Sequence, residues 1–139
     1  MVGRRASIRF VPETAEIGAR VPWTVRAAAV LTALEGLAFA AYGLALLPAL
    51  FGEQAEAGST ALVFFLTYAV FLGLCAWQLG RLRSWARAPV VLAQLIQLLV
   101  GSGFWGGRTT AVAVALIGGA VAVLAALLSP RSLAALGGT

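Results

Sequence analysis

The chain has no histidine, no lysine and no aspartate, and its one cysteine is Cys75. These absences exclude much chemistry. Ser-His-Asp and Cys-His catalysis, Walker-type phosphate binding and His-ligated zinc each require a residue type that is missing. A single thiol leaves no internal disulfide and no cysteine-rich metal site. Charge is scarce too, at 11% of 139 residues against about 25% in soluble domains. Ten arginines supply all the positive charge and give a net +5 over five acids. They flank apolar runs, with no gathering of base-stacking aromatics on one face. That pattern suits phospholipid headgroups and argues against nucleic acid. No catalytic activity, metal or cofactor is expected.

What remains is apolar surface. Hydrophobic residues make up 61% of the chain and its mean hydropathy is +0.96. Four runs are long enough to cross a bilayer, at about Val25–Leu47, Thr60–Leu79, Ala88–Phe104 and Thr110–Leu128. At 1.5 Å per helical residue the first reaches about 35 Å, against a hydrocarbon core of about 30 Å. The expected fold is therefore an all-α membrane protein, four transmembrane helices in an up-down bundle spanning residues 23–129. Prolines 22 and 48 bracket the first span and Ser129-Pro130 closes the fourth. The third is the shortest, and glycines 101, 103, 106 and 107 loosen its outer boundary. No lysine accompanies those glycines, so they do not make a phosphate loop.

Residues 1–22 carry Arg4, Arg5, Arg9, Glu13, Glu16 and Arg20 without an apolar period, which predicts a mobile polar tail. Arg4-Arg5 invites a twin-arginine export signal. The long polar spacer and an apolar run exceeding a signal core of about 7–15 residues oppose it. Residues 130–139 are expected to be a second short tail. With four crossings, both tails and the central loop share one side. They hold Arg4, Arg5, Arg9, Arg20, Arg26, Arg81, Arg83, Arg87 and Arg131, against Arg108 opposite. Retention of positive charge in the cytoplasm then places both termini there. Trp23, Trp77, Trp85 and Trp105 all fall at predicted span ends, where an indole keeps its N–H among headgroups.

The central stretch Gly80–Gln97 joins an arginine cluster to a span carrying two glutamines. Arg81, Arg83, Trp85 and Arg87 read as a lipid-surface anchor, each arginine contributing about 1 kcal/mol near anionic lipid. Within the spans, Glu35 lies about 15 Å deep, close to the midplane. A charged carboxylate is costly there, so it must be protonated, paired or facing water. Gln94 and Gln97, about 9 and 13 Å deep, share one face of the third span. The predicted interior cluster centres on Glu35 and Gln97, with Gln94 and Thr32 beside them and Thr67 and Tyr68 as further partners. It is either interhelical glue or a site that exchanges protons or binds a cation. Cys75 reads as a packed small residue, with palmitoylation the alternative for a thiol near the inner surface.

Small residues recur every four positions as Thr32, Gly36 and Ala40 in the first span. In the fourth they do so as Ala111, Ala115, Gly119 and as Gly118, Ala122, Ala126. Such stripes let helix backbones approach, either within one bundle or between copies. Membrane lipids, a second copy or another membrane protein are the expected partners.

The run Gly80-Arg81-Leu82-Arg83-Ser84-Trp85-Ala86-Arg87-Ala88-Pro89-Val90-Val91, a glutamine in the next span and the ending Leu128-Ser129-Pro130-Arg131-Ser132 resemble a group of uncharacterised small four-helix integral membrane proteins of actinobacteria. That resemblance implies a plasma-membrane location and the same architecture, with no activity to carry over. The chain is also similar to small multidrug-resistance transporters in helix count and in a membrane-embedded glutamate on the first helix. This second resemblance implies a proton-coupled transporter of lipophilic cations using Glu35. The first favours a structural or accessory component.

Overall fold

The computed structural model describes residues 20–137. Most of the polar tail expected at 1–22 lies outside the described residues. Four long helices follow one another as α1 (Trp23–Ala45), α2 (Ala55–Gly80), α3 (Arg87–Gly103) and α4 (Thr110–Leu127), and a short α5 (Pro130–Gly137) ends the described chain. All four long helices are apolar and long enough to cross a membrane once the 3-10 turns continuing three of them are included. The chain is an all-α, multi-pass protein.

Local chemistry explains where the boundaries depart from the hydropathy reading. α1 stops at Ala45, two residues early, because Pro48 disfavours helical backbone before it and offers no N–H. The chain tightens instead into a 3-10 turn, Leu47–Phe51. α2 begins at Ala55, five residues before the predicted Thr60. Its first turn is polar yet helical: Glu56 complements the helix dipole, and the hydroxyls of Ser59 and Thr60 donate to the Glu56 carbonyl at 2.8 and 3.0 Å. Apolarity marks the lipid-facing length, and the helix runs past it.

α2 ends in a Schellman closure, with Arg83 N–H on the Gln78 carbonyl and Leu82 N–H on that of Leu79. Leu82 takes the left-handed position at φ 56°, where glycine is usual. Its side chain packs on the core, offsetting that strain. A 3-10 turn, Ser84–Ala86, then leads into α3. Pro89 falls in the first turn of α3, where no backbone donor is lost.

The segment expected as a tail at 130–139 is corrected through Gly137: it is α5, folded onto the bundle. Ser129 caps it by accepting the Ser132 N–H at 3.3 Å, and Pro130 occupies the first helical position. Ser132 is fully buried and its hydroxyl is hydrogen-bonded to Thr24 Oγ1 at the start of α1, 2.8 Å away. Leu136 joins the core cluster of Val25, Leu79, Val90, Val123 and Leu127.

α1 lies along α2 and α3 along α4, and the two hairpins meet mainly through α1 and α4. Close approach explains two glycines. A methyl on Gly36 would meet the Ala69 carbonyl of α2 at 3.1 Å, and one on Gly101 would meet Ile117 of α4 at 2.9 Å. The outer surface is studded with exposed Leu34, Leu37, Phe64, Val70, Leu95 and Leu99, while Thr32, Gln94 and Gln97 are buried. Apolar outside and polar within is the arrangement lipid imposes.

Candidate functional site

The interior polar cluster sits where α1, α3 and α4 converge. Glu35 comes from the middle of α1. Its Oε2 accepts a hydrogen bond from Gln94 Nε2 at 2.7 Å, and its Oε1 accepts one from Gln97 Nε2 at 3.2 Å. The spacing of three along α3 aims both amides at one carboxylate. Gln97 Nε2 also donates to the Leu116 carbonyl of α4 at 3.2 Å, so a single amide bridges two helices. Gly119 lies one turn further along α4. A Cβ there would stand 2.8 Å from Glu35 Oε1, so only glycine leaves the carboxylate its place.

Of the predicted members, Glu35, Gln94 and Gln97 come together, and Gln94, expected in the lesser role, makes the shorter bond. Thr32 is fully buried one turn before Glu35 but stays outside the network. Thr67 is exposed on the outer face of α2, and Tyr68 packs in an aromatic group, 5.0 Å edge-on from Phe39. Neither hydrogen-bonds to Glu35 in the structure. Gly119 was expected in a packing stripe and lies at the cluster instead. Its depth held the signal, since nine residues from Thr110 place it about 14 Å from the start of α4, level with Glu35. The Leu116 carbonyl had no signal, because any helical carbonyl keeps a second lone pair.

Three buried oxygens, Thr32 Oγ1, Gln94 Oε1 and Gln97 Oε1, have no hydrogen-bond partner among the described residues. Both glutamines turn their donors to the carboxylate and their acceptors away. No described arginine pairs with Glu35. Among the described residues no three side chains of His, Cys, Asp or Glu stand together to hold a metal.

The arginine cluster forms the turn between α2 and α3. Arg81 lies over the Trp77 ring at 4.1 Å, Arg83 and Trp85 are exposed, and Arg87 is half-buried at the start of α3. Arg20, Arg26 and Arg131 stand at the same end of the bundle, while Arg108, Glu53 and Glu56 stand at the other. Of the packing residues, Gly36 is buried against α2, whereas Ala115 and Ala122 are exposed. The buried face of α4 is Ala113, Ala120, Val123 and Leu127, so its small-residue stripes are corrected as an interior packing surface.

No family model matches the chain, and neither does any curated protein or solved structure.

Proposed function

We propose that this is a non-enzymatic protein of the bacterial plasma membrane, with both termini cytoplasmic, acting as a structural or accessory component through its helix faces and basic rim. One observation carries the reading: both oxygens of the mid-span acid, Glu35, are occupied by glutamine amides of the same bundle. A carboxylate used in this way ties α1 to α3, and Gln97 extends the tie to α4. Interhelical bonds of this kind contribute roughly 0.6–2 kcal/mol each. The resemblance to small actinobacterial membrane proteins and the arginines gathered at one end support the location and orientation.

The three unpartnered oxygens beside Glu35 favour a second reading, a proton-coupled transporter of lipophilic cations. Glu35→Gln separates the two, because it keeps an acceptor for one amide and removes the charge. On the structural reading the variant folds with a slightly lower melting temperature, and cells expressing wild type or variant tolerate lipophilic cations equally. Tolerance conferred by wild type and lost in a well-folded Glu35→Gln protein would replace the structural reading with the transport one.

A further inference from the structure

At the basic end, far from Glu35, a cleft of about 650 Å³ opens beside the start of α1. Arg20, Val21, Arg26, Ala29, Val30 and Gly80 line it. Both guanidinium-bearing residues are exposed. The described acids lie elsewhere, Glu35 at mid-span and Glu53 and Glu56 at the opposite end. Arg20 and Arg26 thus put two positive charges at one mouth with no described carboxylate beside them.

Beyond the cleft, α2 carries a second glycine beside α1. Gly80 has nothing within 4 Å of the place a Cβ would take, and the same holds for Gly73. Seven residues apart, they lie on one face of α2, two turns from each other. That face borders α1, since the Gly73 amide is 3.5 Å from the Cβ position of Gly36. On α1, Ala29 is half-buried and Ala33, one turn deeper, is exposed. Beside the doubly cationic mouth, Gly80 and Gly73 thus leave two openings on α2, with Ala76 and Trp77 between them.

We propose that this cleft binds one anionic phospholipid, its phosphate between Arg20 and Arg26 and one acyl chain along Gly80 and Gly73. Charge complementarity selects an anionic headgroup at the level of Arg26 in the first turn of α1. The openings at Gly80 and Gly73 admit methylenes of a hydrocarbon chain laid past Ala76 and the Trp77 ring. A transmembrane helix of another protein would need a carboxylate at that mouth. The inference is independent of the role assigned to Glu35.

Native mass spectrometry of the full chain in an uncharged detergent tests it, with phosphatidylglycerol, phosphatidylcholine and inorganic phosphate as probes. Wild type is expected to retain one phosphatidylglycerol with about tenfold or greater preference over phosphatidylcholine. Arg20→Ala/Arg26→Ala abolishes the preference, and Arg108→Ala at the other end keeps it. Gly80→Leu and Gly73→Leu each enter open space, so the fold survives while phosphatidylglycerol binding falls. Equal binding by wild type and the double arginine variant overturns the proposal. Full displacement by excess inorganic phosphate, with the glycine variants binding as wild type, reduces the site to a free-phosphate site and overturns the lipid assignment. A wild-type dimer split by Gly73→Leu with unchanged lipid binding assigns the groove to a second copy and likewise overturns it.

Discussion

Glu35 is surrounded by donors and not by cations, and that choice of partners sets what substitutions do. Gln94→Leu removes the 2.7 Å bond and leaves a carboxylate oxygen short of a donor inside the membrane. A loss of about 1–2 kcal/mol is expected in detergent unfolding followed by circular dichroism. Replacing Glu35, Gln94 and Gln97 together by leucine removes donors and acceptors at once. The triple variant is therefore expected to be no less stable than Gln94→Leu alone, and a markedly less stable one would show that the network contributes more than its separate bonds. Gly119→Ala pushes on Glu35 Oε1, the end of a flexible side chain that can yield only by stretching its bonds. It is expected to destabilise by about 1 kcal/mol, while Gly118→Ala, with nothing within 4 Å of its Cβ position, leaves the melting temperature unchanged or slightly raised.

Individual helices were legible in proportion to how far their limits depended on lipid. Apolar length located four spans, but proline geometry shortened α1 and a polar first turn lengthened α2. α5 escaped notice because its eight residues carry few large apolar side chains, although Ser129-Pro130 is a helix-start signal as well as a stop. Ser132→Ala removes the hydroxyl bonds to Thr24 and to the Ala126 carbonyl. The expected result is faster amide hydrogen exchange across Pro130–Gly137 with the four spans still protected. On α3, Gly101→Ala drives a methyl to 2.9 Å from Ile117 and should lower stability by about 1–3 kcal/mol. Gly103→Ala, which meets nothing, should not.

At the scale of the molecule, α1–α2 and α3–α4 are two hairpins whose shared surface runs mainly through α1 and α4. The turn at Leu82 is a connection more than a contact. Residues 1–82 and 83–139 expressed as separate chains are therefore expected to co-purify through an affinity tag on either half, and Glu35→Leu in the first should reduce the yield. Glu35 with Gln97 was legible because depth and face can be counted along a helix. The outward turn of Ala115 and Ala122 was not, since a small-residue stripe packs equally well inside a bundle, against lipid or against another chain. The arginine imbalance read from sequence reappears as the ends of elements, and a reporter fused after Thr139 should be active on the cytoplasmic side.

The bond between Ser132 and Thr24 joins residues 108 positions apart. During synthesis Thr24 leaves the ribosome long before its partner exists, and three further spans must enter the bilayer in between. Until Ser132 arrives, the base of the bundle lacks its closing helix, and Val25, Leu79 and Leu127 lack the Leu136 side chain that covers them. The base of the bundle is thus sealed only after all four spans have been made.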